Sequence, residues 1–168
     1  MKQCKWKTLT IIFLLSISFL LIGLYKLSQT LDTLTAKDVY KLQLSFSKAK
    51  FVQIIKQWQE LKLIDNYYNS FKYDFIFLIG YSLTLYVLII ILSCIKRLKI
   101  KRFLIYLPLI AGIMDITENF LEISILNDYN FNSYLILLQS FAALIKFLAV
   151  FFSIAPVIWL IIQKRKTH

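Results

Sequence analysis

Long apolar runs separated by short polar joints, most of them basic, make up this chain. The runs lie at about residues 8–27, 74–95, 103–126 and 134–162. Within each the apolar positions are continuous and do not alternate, which excludes barrel strands and predicts helices. A helix of about 20 residues crosses a bilayer, so each run is long enough. The last exceeds a minimal span and must tilt, bend near Pro156 or protrude. Lys2, Lys5 and Lys7 give the first run the basic start of a signal peptide. Its apolar stretch is longer than the usual ~7–15 residues and no A-x-A site follows, so it is read as a retained membrane helix.

The joint at 28–73 is long and carries a pattern of its own. Phe51, Ile54, Ile55, Trp58 and Leu61 share one helical face, with Lys50, Gln53, Lys56, Gln57 and Glu60 on the others. Such an amphipathic helix either lies in the membrane interface or packs as a cap on the outer ends of the spans, and the cap is favoured. Thr35 and Asp38, three apart, resemble a capping box that starts an earlier helix. "LQLSFS" alternates like a short strand, which would be marginal alone.

Composition agrees with lipid as the solvent. Of the 168 residues 59% are hydrophobic and 17% charged, against about 25% charged in soluble domains. The net charge is +11, but Lys and Arg fall between the apolar runs, so no nucleic-acid stripe forms and membrane lipid is the expected partner. Lys2, Lys5 and Lys7, then Lys96, Arg97, Lys99, Lys101 and Arg102, then Lys164, Arg165 and Lys166 all fall on one side if both termini are cytoplasmic. The expected fold is all-α: a single four-transmembrane-helix domain over 1–168, an integral membrane four-helix bundle with N-in/C-in topology and an amphipathic helix in the outer loop. A bacterial cytoplasmic (inner) membrane is the expected location, with an organelle inner membrane as the alternative. Cys4 and Cys94 would then face a reducing compartment, which argues against a disulfide. The single histidine is His168, and no CxxC or phosphate loop is present, so neither a metal nor a cofactor is expected.

Against this background "MDITENFLE", 114–122, stands out. Asp115, Glu118, Asn119 and Glu122 fall at i, i+3, i+4 and i+7, on one face of a helix. Pro108, Ala111 and Gly112 continue that stripe with residues that let a neighbour approach. Leu109, Ile113, Ile116, Phe120 and Ile123 face the other way, toward lipid. The last span presents a matching stripe of Gln139, Ala142, Ala143, Lys146, Ala149 and Ser153. A lone charge near the bilayer centre costs roughly 2.5–3.5 kcal/mol, so Lys146 should pair with Asp115 or Glu118. Asp74, Phe77 and Tyr81 share a face of the second span, and Tyr73 and Tyr81 can donate to these carboxylates. Four acids around one lysine do not balance. Some must be protonated, or a cation, water or basic ligand group must enter.

"FVQIIKQW", then "DFIFLIGY", then "LPLIAGIMDITENFLE" resemble a group of small, mostly bacterial four-span membrane proteins of uncharacterised activity. The group's D-x-x-F-x-x-x-Y pattern matches Asp74, Phe77 and Tyr81, and its D-x-x-E-N pattern matches Asp115, Glu118 and Asn119. The resemblance covers about half the chain and implies an architecture and a polar cluster, with no activity attached.

Three functions follow from the surplus of acids. In the first, a cation, proton or amphiphilic ligand binds between the third and fourth spans, at Asp74, Tyr81, Asp115, Glu118, Asn119, Glu122, Gln139 and Lys146. In the second, Asp115 and Glu118 act as acid and base of an enzyme on a lipid-soluble substrate. In the third, the chain is a structural subunit of a homo- or hetero-oligomer whose partner neutralises the acids.

Overall fold

The computed structural model describes residues 5–31, 34–97, 99–128 and 131–163. They form six helices: α1 (Trp6–Leu31), α2 (Ala36–Gln43), α3 (Lys48–Glu60), α4 (Ile64–Lys96), α5 (Arg102–Asp128) and α6 (Ser133–Ile162). Four of them, α1, α4, α5 and α6, are long and apolar enough to cross a membrane. The fold is an all-helical bundle that fits an integral membrane protein. Lys2, Cys4, Lys164, Arg165, Lys166 and His168 lie outside the described residues.

α4 is the hub, packing on α1, α5 and α6, whereas the α1 backbone comes close to α4 alone among the helices. Two glycines set that contact. A Cβ on Gly23 would stand 2.6 Å from the Phe77 Cα, and one on Gly80 would stand 2.5 Å from the Leu20 Cα, so only hydrogens fit and the two backbones close on one another. Lower down, the Thr84 hydroxyl donates to the Ser16 hydroxyl at 3.0 Å. Most of the rest of α1 is greasy surface, with Ile11, Leu14, Leu21 and Ile22 more than half exposed. α5 and α6 meet along the two stripes of small and polar residues. Pro108 and Ala111 of α5 and Ala142, Ala143, Ala149 and Ser153 of α6 are all buried, Gly112 is buried against Ser82 of α4, and Ile113, Ile116 and Phe120 face outward.

α4 begins ten residues before the expected start of the second span, at Ile64. Its 33 residues extend to about 50 Å at 1.5 Å each, beyond the ~30 Å hydrocarbon layer. The extra turns are held by burial. Tyr67 and Phe71 lie under Trp58 of α3, with the Trp58 and Tyr67 rings edge to face at 4.8 Å. Phe51 and Ile55 of α3 enter the same core with Leu42, Ile125 and Ile136. The amphipathic helix is therefore a cap on the bundle.

α2 starts as expected: the Thr35 hydroxyl accepts from the Asp38 N–H at 3.3 Å and donates to the Asp38 carboxylate at 2.6 Å. Asp38 also pairs with Lys41 at 3.0 Å. These contacts lower the Asp38 pKa below its ordinary 3.8, the Thr35 hydrogen bond contributing most. "LQLSFS" is not a strand. Leu42 and Gln43 finish α2, and Phe46 turns the chain at φ 48°. No second strand is present among the described residues, so the turn takes its hydrogen bonds from α6 instead: Phe46 N–H donates to Ser140 Oγ at 3.1 Å, and Gln139 Nε2 donates to the Gln43 carbonyl at 3.2 Å.

At the opposite end Lys96 Nζ donates to the Ile161 and Gln163 carbonyls at 3.3 and 2.7 Å, tying the end of α4 to the end of α6. Cys94, beside it, is disulfide-bonded, against the expectation of reduced thiols. That expectation rested on an assumed reducing compartment alone.

Candidate functional site

Halfway along α5, Asp115 turns inward and meets Lys146 of α6 at 3.0 Å. Its second oxygen accepts from the Tyr81 hydroxyl of α4 at 2.8 Å. One turn on, Glu118 Oε2 contacts the same ammonium as an ion pair rather than an aligned hydrogen bond, and its Oε1 has no hydrogen-bond partner among the described residues. Lys146 thus lies between two carboxylates where one was expected, and its ammonium also sits over the Phe147 ring at 4.8 Å from the centroid. Asn119 Nδ2 donates to Asp74 Oδ2 at 2.5 Å. Glu122 accepts from Gln139 Nε2 at 2.9 Å and from the Tyr67 hydroxyl at 2.6 Å.

The helical spacing explains how one face does all this. Asp115, Glu118, Asn119 and Glu122 project along one stripe, so they meet α6 and α4 in turn. Each is at most 4% exposed, as is Gln139, and Lys146 is 7% exposed. Asp74 and Tyr81 are half-buried. A buried ion pair is tolerated only when its remaining lone pairs find hydrogen bonds. Tyr81 supplies one to Asp115, Tyr67 and Gln139 do the same for Glu122 and Asn119 for Asp74, and Glu118 Oε1 is the exception.

The polar chain is one wall of a half-open cavity of about 650 Å³. Asp74, Tyr81, Asp115, Asn119 and Lys146 form its polar end. Leu24, Leu27 and Leu31 of α1, Phe77 and Leu85 of α4 and Val150 of α6 make its apolar arm, and Val39 and Tyr40 of α2 cover the top. Tyr40 closes on α6 through an edge-to-face contact with Phe147 at 5.3 Å. The α1 and α6 backbones stay more than 8 Å apart, and the cavity is lined from both helices.

The expected site residues therefore divide. Asp74, Tyr81, Asp115, Asn119 and Lys146 reach the cavity, while Glu118, Glu122 and Gln139 are buried behind it, between α5 and α6. Gln139 fastens the cap to the acid stripe. Tyr73 has Lys72 over its ring at 5.0 Å and does not line the cavity. Sequence reading missed Tyr67 and the whole α1 wall. Tyr67, Asp74 and Tyr81 are seven apart and share a face, but that register is visible only once α4 is extended to Ile64. Among the described residues no group of three metal-ligating side chains is assembled.

No family model, curated protein or solved structure matches the chain.

Proposed function

We propose that this membrane protein binds an amphiphile, its apolar chain along α1 and its polar head at Asp74, Tyr81, Asp115 and Asn119. The cavity carries the reading: one space of about 650 Å³ joins an aliphatic arm to a buried polar end, a size and lining usual for small-molecule sites. Entry is lateral, from lipid, through the gap between α1 and α6. An acid–base division between Asp115 and Glu118 has less support, because both clamp one ammonium and only Asp115 reaches the cavity.

The test is thermal unfolding of the purified chain in a non-ionic detergent with twelve-carbon amphiphiles added. Saturation to about 100 times Kd adds about 2.7 kcal/mol, which raises the midpoint by about 5–10 °C for a chain of this size. Leu27→Trp, which fills the apolar arm, abolishes the shift. A midpoint indifferent to every amphiphile contradicts the proposal.

A further inference from the structure

The cavity's polar end is rich in acceptors, and much of its donor capacity is already engaged. Lys146 is the one Lys or Arg among its lining residues, and its ammonium already faces Asp115, Glu118 and the Phe147 ring. Tyr81 donates its proton to Asp115, and Asn119 donates to Asp74. What these groups still offer is chiefly lone pairs. Asp74 Oδ1 has no hydrogen bond among the described residues, and none of their cations makes a contact ion pair with Asp74. The Tyr81 oxygen keeps accepting capacity after donating. Behind this surface the charge is unbalanced in the same sense, because Glu118 and Glu122 share the single Lys146 with Asp115 and Asp74. A phosphate or carboxylate head entering here would meet the carboxylates of Asp74 and Asp115, with only the remaining N–H groups of Asn119 and Lys146 to oppose their repulsion. A primary ammonium brings three donors and the missing positive charge.

Resting on the amphiphile reading, we infer that the ligand is an amine-headed amphiphile, its ammonium held by Asp74 with Tyr81 as a second acceptor. The aliphatic arm then takes a single alkyl chain between α1 and α6, and Lys146 acts by repelling a cation from the Asp115 side and directing it to Asp74. Charge-assisted hydrogen bonds are the strong ones, and they distinguish heads that share one tail.

Dodecylamine, dodecanol and dodecanoate, titrated into the purified full chain with thermal unfolding as readout, separate head from tail. The expected order is amine, then alcohol, then carboxylate, the amine binding about tenfold or more tighter than the alcohol. Asp74→Asn brings the amine-to-alcohol ratio close to one. Asp74→Ser, smaller and neutral, serves as the second variant should the asparagine weaken the fold. Dodecanoate binding as tightly as dodecylamine, or an amine preference that survives in both variants, overturns the inference. Equal response to all three probes also overturns it while leaving the amphiphile reading in place. Response to none removes both.

Discussion

Lys146 illustrates how a single side chain organises this interior. Its stem leaves α6 on a stripe otherwise made of Ala, Ser and Gln, which brings α5 close enough for two carboxylates to reach one ammonium. Removing one partner of a buried pair strands the other, at a cost of about 3–5 kcal/mol. Lys146→Met should lower stability by that amount, read from chemical unfolding in detergent. Lys146→Met with Asp115→Asn and Glu118→Gln should recover much of the loss, since no bare charge is then left inside. A single variant as stable as the parent would mean that the ammonium reaches water. The pairing of the two stripes was legible in the sequence because i, i+3, i+4 and i+7 spacing fixes a helix face whatever the tertiary context. Which acid takes which donor was not, since Tyr67 and Gln139 come from positions 55 residues before and 17 residues after Glu122.

The helices differ in how firmly each is held. The α1 backbone has one close helix neighbour, and two glycines allow that contact. Gly80→Val should therefore separate α1 from α4 at a cost of about 1–3 kcal/mol, typical of overpacking. A cysteine pair replacing Ser16 and Thr84 should cross-link readily in the parent and poorly in the Gly80 variant. Undiminished cross-linking would contradict the close approach. α2 is held at its start by Thr35 and Asp38, and here pH matters. The folded pKa of Asp38 is depressed, so its contribution is present above the ordinary 3.8 and is lost as pH falls through the lower folded value. Amide exchange across Ala36–Gln43 should accelerate in that acid range, and Asp38→Asn should remove the pH dependence. The capping pair and the amphipathic face of α3 were readable because both are local patterns. The start of α4 was not, because residues 64–73 are too mixed to announce a helix and are ordered by Trp58 packing on Tyr67. The strand expected from "LQLSFS" failed for the complementary reason: alternation proposes a strand, but only a partner strand makes one.

At the scale of the whole molecule, three helices form a compact bundle and the fourth stands to one side. α4, α5 and α6 pack on one another around the acid stripe, while α1 leans on α4 and leaves a gap toward α6. That gap is what turns a satisfied polar network into the wall of a cavity, and it cannot be read from apolar runs, which set the number of spans and not their neighbours. What occupies that space decides what the bundle does. A crystal structure grown from a lipidic mesophase, with an alkylamine present, tests this most directly. The predicted result is elongated density along Leu24, Leu27 and Leu31 ending within hydrogen-bond distance of Asp74. α1 collapsed onto α6, with Asp74 sealed from any ligand, would contradict it.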